Sequence, residues 1–248
     1  MELLFKLRKA LSFFIFSRFY QKKVSLKLKE PLISFTFDDI PRSAIENGET
    51  LLRKYNYSGT YYISLGLMEN EGFDFSRDDS RILNKIVDHG GELACHTYSH
   101  LHFFKANRQK IFSDLQKNQS SIENLVPGYK FKNISFPFGE QTLKARRIFR
   151  DKFRSARSVY RGINSGNVDL NCLKSVRLYE NNSLPIIFSI INEAVEKKAW
   201  IIFYTHDVMD NPTEIGCSPG YFEEVVRYCH EKKLKVLTVN DALNFIQK

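Results

Sequence analysis

The chain has 248 residues and a mass of 29.0 kDa, is 43% hydrophobic and 26% charged, and carries a net charge of +9. These are ordinary values for a folded domain, and they exclude a disordered chain, a collagen-like repeat and a multi-span membrane protein. The charge is uneven: residues 1–30 hold eight basic and two acidic residues, so the remaining 218 are nearly neutral, which excludes a broadly basic nucleic-acid-binding body.

Leu4, Leu7, Leu11 and Phe14 recur at helical spacing with Lys and Arg between them. Two readings stay open: an interfacial amphipathic helix drawn to anionic lipid, or a helix that packs its stripe on the protein's own body. The longest uncharged stretch there, 10–17, is far short of the roughly 20 residues a spanning helix needs. No small-residue cleavage site follows Arg18. The expectation is a cytoplasmic chain with no nucleic-acid partner; on the first reading it also makes peripheral membrane contact through residues 1–25 at the inner face. Residues 1–30 read as a basic N-terminal segment and 31–248 as one domain, since no linker, repeat or low-complexity tract divides them. Cys95, Cys172, Cys217 and Cys229 form no C-x-x-C pair and read as buried reduced thiols.

From residue 31 on, short runs rich in Ile, Val, Phe and Tyr predict strands at 32–37, 59–64, 92–96, 133–136, 154–159, 175–179, 200–204 and 235–239. Helical patterns fall between them at 43–55, 79–89, 105–125, 184–197 and 219–232, with Asp241 as cap of a last helix ending at Ile246. Such alternation implies a parallel sheet covered by helices. Seven or eight strands predict an α/β fold, a closed or nearly closed (β/α) barrel, whose chemistry lies at the C-terminal ends of the strands.

That rule selects residues before any motif is named. The first strand ends in Asp38-Asp39, the third runs into His96 and His100, the fourth into Pro137-Phe138-Gly139, and the strand at 200–204 into His206-Asp207. Two histidines four apart can reach one metal ion, although H-x-x-x-H alone is a weak signal in a chain with six histidines. Adjacent acids after an apolar strand allow one carboxylate to complete a His-His-Asp metal site while the other stays free as a base; the alternative is a helix cap and a solvated acid. His206, at the same rim, can donate a proton to a leaving group.

The ordered set Thr36-Phe37-Asp38-Asp39, His96-Thr97-Tyr98-Ser99-His100, Pro137-Phe138-Gly139 and a strand ending in His206-Asp207 resembles the NodB-homology polysaccharide deacetylases, carbohydrate esterase family 4. The likeness runs over about residues 31–245, and is greatest to members from cell-surface polysaccharide and lipopolysaccharide biosynthesis. It implies a distorted (β/α) barrel. It implies Asp38 as general base, Asp39, His96 and His100 as ligands of one divalent metal (Zn2+, with Co2+ or Ni2+ as alternatives) and His206 as general acid. It implies an oxyanion and substrate region at Pro137, Phe138 and Gly139, with Tyr98 and Phe138 at the mouth. The expected reaction is removal of an N-acetyl group from an amino sugar of a cell-surface polysaccharide or its precursor. The rivals are a deacetylase or deformylase of a lipid-linked sugar at the membrane face, and a metal-binding but non-catalytic carbohydrate-binding protein.

Several positions depart from the pattern. Ser135 stands where many members have an Arg that orients the base, and Arg177 is the expected substitute. Phe138 replaces a Tyr, which is harmless if the backbone N–H is what acts. No D-x-x-D-W segment occurs, leaving Asp169 and Asp207 as candidates for tuning His206. Ile40-Pro41 follows the acid pair where many members have Gly.

Overall fold

A computed structural model describes residues 18–67 and 80–247 of the chain. Its first strand, β1 (Lys23–Leu26), is followed by β2 (Leu32–Asp38). A π-helical stretch, Ala44–Glu49, then runs directly into α1 (Thr50–Lys54). The chain continues through β3 (Thr60–Ile63), α2 (Ser80–Asp88), β4 (Glu92–Cys95), α3 (Arg108–Leu125), β5 (Asn133–Ser135), α4 (Leu143–Lys152) and β6 (Ser155–Arg161). It ends with β7 (Gly166–Asp169), β8 (Leu173–Arg177), α5 (Leu184–Glu196), β9 (Trp200–Thr205), α6 (Pro219–Glu231), β10 (Lys235–Val236) and α7 (Val239–Ile246).

Seven parallel strands close on themselves in the order β2-β3-β4-β5-β6-β8-β9, with β9 returning to pair with β2. A strand has two edges. Because β9 takes one edge of β2 over Leu32–Phe37, the short β10 shares the other with β3, pairing only at Leu32 and Ile33. The expected barrel is therefore present, distorted by one partial strand. All eight predicted barrel strands form.

Side-chain parity sets up the site. Alternate residues of a strand point to opposite faces. Phe35 and Phe37 of β2 pack on Phe222 of α6, with ring centroids 5.5 and 5.6 Å apart, so Ser34, Thr36 and Asp38 face the barrel interior. The outer layer is apolar, and each large side chain buried there contributes about 1.5–3 kcal/mol. The interior is apolar only in part, around Leu32, Leu173, Trp200 and Ile202. Elsewhere it is polar: Trp200 Nε1 donates to Ser34 Oγ (3.0 Å), and Thr36 Oγ1 donates to the carbonyl of Phe203 (2.8 Å).

Three elements differ from expectation. β1 and β7 form a separate antiparallel ribbon, both too short and polar to show as strands in the sequence. The Lys22 amide donates to Asp169 Oδ1 and its Nζ to the carbonyl of Phe153, both at 2.8 Å, so this lysine is laced to the barrel. α4 has the sequence LKARRIFRDK, whose basic residues mask the buried Ala145, Ile148 and Phe149; its Arg146 is fully buried and paired with Asp169. The cap of α7 is Thr238, whose Oγ1 accepts from the Asp241 amide, rather than Asp241.

Leu4, Leu7, Leu11, Phe14 and the helix start at residue 79 lie outside the described residues. Among the described residues, no helix is long and apolar enough to cross a membrane. The four cysteines are free and buried.

Candidate active site

Four loops at the C-terminal rim carry the site residues, and three of them share a backbone feature. Those three follow β2, β4 and β5, and their backbones are unusual. Asp39 (φ 63°), Ile40 (50°), Thr97 (63°), His100 (47°) and Phe138 (53°) are all left-handed without being glycine. L-residues avoid this region, and a β-branched residue such as Ile40 does so most strongly. A glycine would suit the turn that Ile40 makes here.

The turns bring Asp39, His96 and His100 together. One ligand atom from each lies within 4.8 Å of the others. His96 Nε2 and His100 Nε2 are both 3.6 Å from Asp39 Oδ1. That is too long for a hydrogen bond. Donors about 2.0–2.1 Å from a tetrahedral ion stand roughly 3.4 Å from one another, so the spacing suits a shared cation. Asp39 Oδ1 is buried with no hydrogen-bond partner among the described residues. Burial and the neighbouring Asp38 charge push the Asp39 pKa up to about 7. A cation would relieve both.

The two imidazoles are prepared as neutral donors. Burial holds His96 well below the ordinary histidine range and takes His100 down to about 4. His96 turns its Nδ1 to Ser135, contacting both the hydroxyl and the carbonyl, and so presents Nε2 to Asp39. Ser135 therefore supports a candidate ligand. A hydrogen bond at the far nitrogen fixes a metal-binding histidine in this way.

Asp38 ends β2 and is 4% exposed. Its partner is Arg157, not Arg177. Arg157 Nη2 donates to Oδ1 at 2.6 Å and also contacts Oδ2. Burial alone would raise the Asp38 pKa; the guanidinium overcomes it and holds the carboxyl below its usual range. Arg157 lies on β6 directly beside Ser135 in the β5–β6 ladder. The cation thus enters one strand over from the position where the sequence lacks it. Its guanidinium stacks on Tyr62 and Tyr204, with centroids at 5.0 and 4.5 Å. Arg177 instead donates from Nε to the Tyr204 hydroxyl (2.9 Å), one layer further out. A buried arginine inside an apolar strand reads as an exposed one in sequence.

His206 follows β9. Its Nδ1 is 3.2 Å from the carbonyl of Ile215, which leaves Nε2 facing the cluster, 4.0 Å from Asp39 Oδ2. Burial lowers its pKa, and the Asp38 charge opposes that. Asp207 accepts from Thr213 N (2.8 Å) and Thr213 Oγ1 (2.6 Å), closing the loop that holds Ile215. It supports His206 through that loop, whereas Asp169 is occupied by Arg146 and the Lys22 amide.

Pro137, Phe138 and Gly139 form a tight 3-10 turn at the rim. A Cβ on Gly139 (φ 65°) would sit 2.3 Å from Val159 Cγ2, so only glycine fits. Phe138 is 37% exposed, as expected of a residue at the mouth. Tyr98 is not at the mouth: it is buried, its ring lies under Lys117 Nζ (3.8 Å), and its amide donates to Asp114 Oδ1 (2.7 Å). Its neighbour Thr97 is left-handed, and Tyr98 faces α3 rather than the rim. A groove of about 490 Å³ opens beside Asp39 and His206, walled in part by Met209 and Ile215.

A seven-stranded parallel barrel with an aspartate–arginine pair and an Asp-His-His cluster at its C-terminal rim has the architecture of a barrel enzyme whose chemistry lies at that rim. The family model for polysaccharide deacetylase matches residues 25–152, just over half of the chain, and the chain belongs to that family. Among curated proteins, a bifunctional xylanase/deacetylase from Pseudobutyrivibrio xylanivorans is 29% identical over 123 residues. That match spans 44% of this chain and only 19% of the relative.

Among solved structures, the fold is similar to the peptidoglycan deacetylase PdaC from Bacillus subtilis (15% identity, 88% of this chain and 92% of that one, TM-score 0.56). It is similar to a family 4 carbohydrate esterase from Streptomyces lividans in complex with acetate (17%, 84% and 92%, 0.58). It is equally similar to a family 4 pseudoenzyme from Bacillus anthracis (14%, 86% and 65%, 0.60). At these identities the likeness is one of fold.

Proposed function

We propose that the chain is a divalent-metal-dependent hydrolase that removes the N-acetyl group from an amino sugar of a cell-surface polysaccharide or its precursor. The observation that carries this is the Asp39–His96–His100 cluster, with a buried oxygen that has no hydrogen-bond partner among the described residues, next to an arginine-held Asp38. A divalent cation held by those three side chains would supply Lewis-acid polarisation of an amide carbonyl and acidify a water.

The chain's own residues do the rest. Asp38, kept ionised by Arg157, accepts the proton of the attacking water. The Phe138 amide supports the developing oxyanion. His206, its Nδ1 tied to the Ile215 carbonyl, acts in its imidazolium form, which the Asp38 charge favours, and gives the Nε2 proton to the departing nitrogen as the C–N bond breaks. The products are acetate and the free amino sugar. A lipid-linked sugar is the second reading, favoured by Met209 and Ile215, which are 40% and 42% exposed in the groove beside His206.

The test pairs wild type with His96→Ala/His100→Ala. Mass spectrometry should find about one metal per wild-type chain and none in the variant. Wild type should release acetate from N-acetylglucosamine oligomers or from a lipid-linked N-acetyl sugar. Metal binding without release from either would support a non-catalytic protein like the pseudoenzyme of the same fold. No metal after reconstitution would overturn the proposal.

A further inference from the structure

Glu140 is 1% exposed, a carboxylate buried beneath the rim. Its Oε1 accepts from His102 Nδ1 (2.9 Å) and its Oε2 from the Phe104 amide (3.1 Å). It therefore ties the turn after His100 to the turn that carries Phe138. Held this way, the His102 ring lies flat on Phe138, with centroids 3.8 Å apart and planes 2° apart. A parallel ring that close fills one face. His100, 4.2 Å away and tilted by 56°, must meet Phe138 at the other face or its edge. The result is a column of three rings that starts on a buried acid and ends on a candidate metal ligand.

Phe138 carries more than its ring. Its backbone is left-handed, at φ 53°. The Gly139 and Glu140 amides are spent inside the turn, on the carbonyls of Phe136 (2.8 Å) and Pro137 (3.0 Å), and Pro137 has no N–H. The turn's remaining amide is that of Phe138. Stacking on the ring therefore also fixes where this N–H points.

We infer that His102 and Glu140 are positioning residues that act through Phe138 to hold both the His100 imidazole and the Phe138 amide. The inference rests on the proposed function, in which those two groups flank the acyl oxygen. His102 is not itself a fourth donor, because it lies outside the three-residue cluster of Asp39, His96 and His100. Supporting partners of metal ligands tune affinity without touching the ion.

The test measures zinc affinity by chelator competition, together with thermal melting of the metal-free protein, for wild type, His102→Ala and His102→Phe. His102→Ala should weaken zinc binding about 10-fold, while His102→Phe, which keeps a flat ring on Phe138, should stay within about 3-fold of wild type. Should His102→Ala fail to fold, His102→Leu keeps the volume, removes the flat ring and gives the same comparison. Zinc binding unchanged in the ring-less variant overturns the inference alone. So does an equal loss in His102→Phe, because the imidazole rather than the stack would then be what matters. A fall in melting temperature without any change in zinc affinity also overturns it. A wild type that binds no zinc overturns this inference and the proposed function together.

Discussion

Two buried polar clusters lie inside the same barrel, one at its floor and one at its rim. At the floor, Glu92 is 6% exposed and accepts from Asn133 Nδ2 (2.6 Å), the Asn240 amide (2.8 Å) and Thr60 Oγ1 (3.1 Å). Asn133 in turn accepts from Ser155 Oγ at 2.8 Å. Every donor in this network is neutral, and burial pushes the Glu92 pKa up. At the rim, Asp38 has an arginine, Asp39 keeps an oxygen without a hydrogen bond among the described residues, and the backbone is left-handed at five side-chain-bearing residues. Burial alone therefore does not mark a site. A saturated network of neutral donors organises the fold, whereas unsatisfied acceptors, charge and strain together mark chemistry.

The sharpest way to break this comparison is Asp38→Asn. It should cut acetate release about 10²–10⁴-fold, the usual weight of a positioned base, with zinc content unchanged. If release persists, the rim cluster loses its distinguishing role. Arg157→Ala comes next. It leaves a buried carboxylate without its partner, and chemical denaturation should show a loss of about 3–5 kcal/mol.

The pH dependence of zinc affinity is a third test. Asp39 holds a proton up to about pH 7, which the ion must displace, while His100 has already lost its proton above about pH 4. Affinity should therefore rise with pH, about 10-fold per unit below pH 7, and level off above it. A flat profile between pH 5 and 7 would remove Asp39 from the donor set. At the floor, Glu92→Ala should cost about 1–3 kcal/mol in stability through its orphaned donors, with activity per folded molecule unchanged. The smallest effect belongs to Arg177→Ala. Acetate release should stay within about 3-fold of wild type, because an outlying contact of this kind adds little; a loss as large as that of Asp38→Asn would restore Arg177 as the partner of the base.

Much of this was legible in the sequence because the barrel strands are apolar runs that end in chemically distinctive residues. Asp38, Asp39, His96, His100 and His206 are all at the rim, as the strand ends predicted. What could not be read was pairing across the sheet. Arg157 sits within a predicted strand, and nothing local shows that it faces inward or that Ser135 is its neighbour. His102 and Glu140 meet only because two turns are folded together, and 38 residues separate them in the chain. Tyr98 was misplaced for the opposite reason: it stands between two motif histidines, but the turn at Thr97 carries it to the helix side. The Thr238 cap was not legible because β10 ends at Val236, inside the predicted strand 235–239 that took in Thr238.

The neighbouring positions of Ser135 and Arg157 bear on how sequences of this kind are compared. The family resemblance places an arginine at position 135, and a reading confined to that position would count the group as missing. In a closed ladder the same guanidinium can be supplied from either side of a shared boundary, because adjacent strands deliver side chains to one spot in space. The address of such a group is a place on the cylinder, and two sequences that disagree at every aligned position around it can still agree there.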